Sequence, residues 1–230
     1  MTSQAGGGLK RFVRTRPGAQ QEQPDHLQRF LDPERRKRPG ESCEMCAELI
    51  GEMHSHVVNL ETRSLLCTCR ACYLLFTTPG AAGGRYRAVP DRYLFDPAFE
   101  LTEARWDELQ IPVAMAFFFR NSSLDRFVTF YPSPGGATES LLDLESWREV
   151  MGANPAFGDV EPDVEALLVY RPVEDGPFEC YLAPIDACYE LVGRVKMNWK
   201  GFGGGEEAWK DIRGFFAGLR ERSREIVHGT

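Results

Sequence analysis

The sequence predicts an α+β fold: a small β-hairpin module closed by a metal site, followed by an antiparallel sheet packed with helices. Three observations carry this. Five of the seven cysteines crowd into residues 43–72, as Cys43-x2-Cys46, twenty residues, then Cys67-x-Cys69-x2-Cys72. Short apolar and β-branched runs separated by turn signals recur between residues 111 and 182. Two segments near the end of the chain carry apolar side chains at helical spacing.

Residues 1–41 are rich in Gly, Gln, Pro and Arg and are expected to form a basic, disordered arm. A helical turn over 26–31 is the one element predicted there, since Leu27, Phe30 and Leu31 share a face. Residues 1–40 hold nine Lys/Arg against four Asp/Glu, whereas the rest holds 18 basic and 30 acidic side chains. The acidic body argues against a large nucleic-acid surface, because phosphate neutralisation dominates such binding. With 230 residues, 43% of them hydrophobic, the chain can build a core of one to two domains. It has no apolar run of membrane-spanning length. The opening Met-Thr-Ser-Gln-Ala-Gly-Gly-Gly lacks the apolar stretch of a secretory signal. An odd number of cysteines with metal spacing fits a reducing compartment, so a cytoplasmic protein is expected.

Residues 42–78 form the cysteine module. His56-Val-Val-Asn-Leu60 and Ser64-Leu-Leu-Cys-Thr-Cys69 are β-prone, and Glu61-Thr-Arg63 between them is of hairpin length. A turn centred near Thr62 places His56 opposite Cys67 and Cys69. Residues two apart on a strand share a face, so Cys67 goes with Cys69 and His54 with His56. Residues 79–110 are a connector with a Gly-rich start. Its aromatics Tyr86, Tyr93, Phe95, Phe99 and Trp106 are expected to pack on the α+β domain, and Thr102 to cap a short helix.

Residues 111–230 make up the α+β domain. Strands are predicted over 111–119 and 126–131, joined as a hairpin, and over 164–170 and 178–182. A loop is expected at Pro132-Ser-Pro-Gly-Gly136, with turn and helix entry up to Ser140 and a helix over 143–151. Pro184 opens a helix with Cys188, Leu191, Val192, Val195 and Trp199 on one side. The last helix presents Trp209, Ile212, Phe215, Phe216 and Leu219. Cys180 and Cys188 are read as small core hydrophobes. Gly201-Phe-Gly-Gly-Gly205 and the Ser133–Ser140 run could cradle an anion but lack a phosphate-loop signature, and are read as loops. No Ser-His-Asp arrangement emerges, no catalytic residue is assigned, and a non-enzymatic protein is preferred.

Two Cys-x2-Cys pairs on a hairpin-length spacer suit a tetrahedral thiolate site. The preferred ligands are Cys43, Cys46, Cys69 and Cys72. Cys67 is a surplus thiolate or alternative ligand. His54 and His56 either replace one thiolate or donate hydrogen bonds to the shell from outside. A module this small cannot be stable on its core alone. A structural zinc ion supplies an apparent ~10–16 kcal/mol in comparable peptides. Zinc is therefore the expected metal, with iron as the alternative.

Three resemblances bear on function. The paired knuckles are similar to those of a rubredoxin, an iron electron carrier. In that family glycine follows each knuckle, where this chain has Ala47 and Tyr73. The order of cysteines and histidines also resembles HNH endonucleases with a zinc knuckle, which would make His56 a general base. The segment after Cys72, Tyr-Leu-Leu-Phe-Thr-Thr, offers no further ligand for their catalytic ion. Finally, Cys43-Glu-Met-Cys46, His54-Ser-His56, Leu60-Glu-Thr-Arg63, Leu65-Leu-Cys-Thr-Cys-Arg-Ala-Cys72, Phe130-Tyr-Pro-Ser-Pro134, Ala137-Thr-Glu-Ser140 and Pro184-Ile-Asp186 resemble an uncharacterised actinobacterial family with a zinc-ribbon-like module. The resemblance covers roughly residues 42–225. Its members are often encoded beside [NiFe]-hydrogenase genes. That implies an accessory or adaptor protein whose partner is a hydrogenase subunit or maturation factor.

Overall fold

The strand Glu165–Tyr170 (β8) explains the core. Its successive side chains point to opposite faces of the sheet, and both faces are covered. Ala166, Leu168 and Tyr170 enter one apolar layer, while Leu167 and Val169 enter the other. In this computed structural model, residues 42–133, 135–140, 145–173, 176–200 and 204–228 are described. The arm and its expected turn at 26–31 lie outside them, as do residues 201–203 of the glycine loop.

The first sheet is small. Ser55–Asn59 (β1) and Ser64–Thr68 (β2) form the expected hairpin, with Val57 opposite Leu66 and His56 opposite Cys67. Arg63 holds a left-handed φ of 55° in the turn. A short helix, Arg70–Leu74 (α1), follows β2. Tyr86–Ala88 (β3) then adds to the other side of β1. Its three residues are too few to show a period in the sequence.

The second sheet has seven strands among the described residues. Leu94–Asp96 (β4) precedes the helix Glu103–Glu108 (α2), where Thr102 caps as expected by accepting from the Arg105 amide. Met115–Asn121 (β5), Arg126–Ser133 (β6) and Gly136–Ser140 (β7) make a meander, followed by the helix Glu145–Ala153 (α3). Glu179–Pro184 (β9) leads directly into Ile185–Asn198 (α4), and Gly205–Arg222 (α5) ends in Arg224–Glu225 (β10). The order is β10-β4-β9-β8-β5-β6-β7, antiparallel except for the β10–β4 pair. The fold is therefore α+β, with antiparallel sheets packed by helices, as the sequence predicts.

The apolar stripes of α4 and α5 cover one face. Leu191, Val195, Ile212, Phe216 and Leu219 bury against Phe117, Leu168, Tyr181 and Ala183. On the other face Trp106, Trp147, Val150 and Phe157 cover Phe118, Leu167 and Leu182. The Trp147 ring stacks on Phe118 with centroids 3.6 Å apart. Cys180 and Cys188 are fully buried core side chains, as expected. Leu168→Ala should cost about 2–5 kcal/mol, since its neighbours on β5 and β9 cannot collapse into the space. At roughly 2–4 °C per kcal/mol for a chain of this size, thermal melting will show it.

One expectation is corrected. The Pro132–Gly136 stretch is not a loop leading into a helix, because β6 continues through Pro132 and β7 folds back on it, with Pro132 opposite Ala137. Proline cannot donate to a ladder. Here β5 pairs with β6 only as far as Phe130, so the missing N–H breaks no bond on that side. The Ser133 hydroxyl accepts from the Gly135 amide at 3.3 Å and the Thr138 hydroxyl at 3.0 Å. These groups close a hairpin.

The connector aromatics divide. Phe95 meets Tyr181 at 5.0 Å, Trp106 meets Phe178 at 4.8 Å, and Phe99 meets Phe157 at 6.3 Å. Tyr93 lies partly buried against the α4–α5 layer. Tyr86 instead contacts Phe76, at 5.1 Å, beside the hairpin. Val58, Leu60 and Leu65 carry the hairpin onto the α4–α5 layer. Among the described residues no helix is long and apolar enough to cross a membrane.

Candidate metal centre

The first cysteine pair sits on a closed loop. Ser42 and Leu49 form a β-bridge, and the Cys43 amide donates to the Glu48 carbonyl at 2.7 Å. The Ala47 amide returns to the Cys43 carbonyl at 2.8 Å. Ala47 holds φ 62°, the left-handed conformation for which rubredoxin knuckles use glycine. Glu44 ties the loop to the hairpin. Its amide donates to the Cys67 carbonyl at 2.9 Å, and its carboxylate accepts from the Cys67 amide at 2.6 Å.

The second pair sits on a helix start. Cys69 is the N-cap of α1, and its sulfur accepts from the Cys72 amide at 3.5 Å. One helical turn then returns Cys72 beside Cys69. The Tyr73 amide donates to the Cys69 carbonyl at 3.0 Å, so this knuckle runs into a helix rather than into a second rubredoxin-type turn.

The sulfurs of Cys43, Cys46, Cys69 and Cys72 all lie within 4.8 Å of one another, and Cys46 Sγ is 3.7 Å from Cys69 Sγ. A tetrahedral site with metal–sulfur bonds of about 2.3 Å requires sulfur separations of about 3.8 Å. All seven cysteines are free thiols rather than disulfides. The four-sulfur group is thus already shaped for a cation. Cys43 and Cys72 are buried, Cys69 is half-buried and Cys46 reaches the surface, which leaves an entry side.

The electrostatics favour holding a thiolate. Burial pushes the Cys43 thiol up, but the amides of Cys69, Cys46 and Met45 outweigh it and bring the thiol down to about 7. Burial, then hydrogen bonds shared with Cys46, Cys43 and Cys69, push the Cys72 thiol far up. Four thiols this close cannot all ionise without a cation between them, and a bound dication removes that conflict.

Cys67, His54 and His56 do not join this group. They form a second one, with one ring nitrogen of each histidine and the Cys67 sulfur within 4.8 Å of one another. The expectation that Cys67 shares a face with Cys69 stops at the strand end. β2 finishes at Thr68, and Cys69 turns away into the cap of α1. The sequence reading assigns no role to Asp186. Its carboxylate accepts from His56 Nδ1 at 2.8 Å across 130 positions of chain. The only sequence trace of it is the Pro184-Ile-Asp186 motif.

A model described as a family of unknown function (DUF5947) matches residues 42–223. The chain belongs to this family. No curated protein and no solved structure matches the chain. The DUF5947 match takes in both ligand groups, both sheets as far as β9, and the two long helices.

Proposed function

We propose that this DUF5947 protein is a zinc-binding, non-enzymatic accessory or adaptor protein. Cys43, Cys46, Cys69 and Cys72 hold the ion, and the hairpin module presents a surface to a protein partner. The observation that carries the metal reading is the convergence of four free sulfurs at tetrahedral spacing. Zinc is preferred over iron because the second knuckle continues as a helix. A nuclease reading gains nothing from α1, whose Arg70-Ala-Cys-Tyr-Leu74 offers only Cys72, already in the four-sulfur group.

The adaptor reading is supported by the module's surface. Leu49, Met53, Leu74 and Leu75 are exposed, Met53 by 96%. Leu74 and Leu75 follow one another at the end of α1, and an exposed apolar pair of this kind suits a contact surface. The sequence resemblance points to a [NiFe]-hydrogenase subunit or maturation factor as the partner, and the free, metal-spaced cysteines suit a reducing, cytoplasmic compartment.

The test is affinity purification of the tagged full chain from its own cells, beside a Leu74→Glu/Leu75→Glu variant. Hydrogenase components should be recovered with the wild type and reduced at least tenfold with the variant. Wild-type recovery of no hydrogenase component would refute the partner. Purified protein should be colourless; a red, iron-containing product would replace zinc with iron.

A further inference from the structure

The second ligand group has features that the four-sulfur site does not explain. His54 Nδ1 lies 2.8 Å from the Gly51 carbonyl oxygen. A carbonyl only accepts, so this nitrogen carries the proton. His56 Nδ1 lies 2.8 Å from the Asp186 carboxylate, which likewise accepts. A neutral imidazole protonated at Nδ1 keeps a bare lone pair on Nε2. With Nδ1 engaged in both, each histidine in its neutral form offers Nε2 as the ligand atom. His54 Nε2 is shut away from solvent and has no hydrogen-bond partner. A buried acceptor left without a partner is destabilising. Ligation would remove that cost.

The geometry around the pair is that of a ligand set. His56 lies directly opposite Cys67 in the hairpin register, and the two histidine rings are 4.7 Å apart. The Asp186 carboxylate also accepts from the Ala187 amide at 2.8 Å, which fixes it at the start of α4. A carboxylate behind a histidine's second nitrogen is the usual means of orienting a metal-bound imidazole. Both histidines and Asp186 line a groove of about 760 Å³ between the hairpin and α4.

We propose that His54, His56 and Cys67 form a second metal site, distinct from the four-cysteine centre. It takes a divalent late transition metal of the zinc class through His54 Nε2, His56 Nε2 and Cys67 Sγ. Two imidazoles and one thiolate suit such ions. Three protein ligands leave the fourth position for water or a small donor from the groove, unlike a closed four-sulfur shell. Asp186 is a positioning residue that holds the His56 ring and its tautomer.

Metal content decides it. Full-length protein loaded with Zn²⁺ and freed of excess by gel filtration should hold two ions per chain. Cys67→Ala, and separately His54→Ala/His56→Ala, should hold one, with unchanged far-ultraviolet circular dichroism. Asp186→Asn should keep the four-sulfur ion and weaken the other about 10–100-fold, the usual effect of losing such an orienting group. Co²⁺ substitution should give two superposed spectra, of which Cys67→Ala removes the component with less sulfur-to-metal charge transfer. A wild type holding one ion, unchanged in Cys67→Ala and Asp186→Asn, overturns the proposal. If Cys46→Ser loses no ion while Cys67→Ala loses one, the four-cysteine reading fails and this one stands.

Discussion

Cys69→Ser should abolish metal binding at the four-cysteine group and loosen the module that a bound ion would close. Cys69 faces Cys46 at 3.7 Å and caps α1 through its sulfur. Serine is itself a good helix cap, so it can keep the helix start while failing as a thiolate. The loss is then one of metal binding rather than of helix capping. Structural zinc contributes an apparent ~10–16 kcal/mol to the folding of small modules. Elemental analysis should show one ion per chain fewer than in the wild type. Limited proteolysis should open residues 42–78 while residues 94–225 stay protected. Wild-type metal content and wild-type protection together would sink the four-cysteine centre.

Arg92→Leu strands a carboxylate in the core. Glu165 is 1% exposed, yet it stands in β8 at the centre of the large sheet. Arg92 grips it with two bonds, Nε to Oε1 at 2.7 Å and Nη2 to Oε2 at 2.5 Å. The Glu161 amide adds a third at 2.8 Å. Arg92 also donates to the Asp159 carbonyl at 2.9 Å, so the same guanidinium ties the connector to the loop before β8. The Arg92 side chain is 40% exposed, so its removal costs at most the about 3–5 kcal/mol of a fully buried pair, because Glu165 is left charged in a poor solvent. For a chain of this size that is a fall in melting temperature of roughly 6–20 °C. The double variant Arg92→Leu/Glu165→Gln should recover about half or more, since the neutral amide no longer needs a counter-charge. A single variant that melts within 2 °C or so of the wild type would show that water already reaches Glu165.

Much of the site was legible because its chemistry is local. Two Cys-x2-Cys pairs each close within one turn, so the loop at Cys43 and the cap at Cys69 follow from short spacings. The hairpin was legible for the same reason: two β-prone runs and a three-residue connection leave few registers, and His56 opposite Cys67 is one of them. The long helices α4 and α5 showed their buried stripes in the 3.6-residue period. What stayed hidden was short or distant. β3, β4 and β10 have three, three and two residues, too few for any period, and are strands only because a neighbour pairs with them. β7 was masked by the Ser-Pro-Gly-Gly run, which signals a turn but not that the turn closes a hairpin. The split of the ligands into two groups depends on the residue where β2 ends and α1 begins.

From its residues alone this chain determines a clustered four-cysteine module shaped for a cation, an α+β body and the faces its long helices bury, since spacing and period are properties of neighbouring residues. Tertiary structure alone decides that Asp186 meets His56 and that Arg92 neutralises Glu165. Those partners are joined by packing of two sheets and a helix layer, and no local pattern encodes a contact across 130 positions.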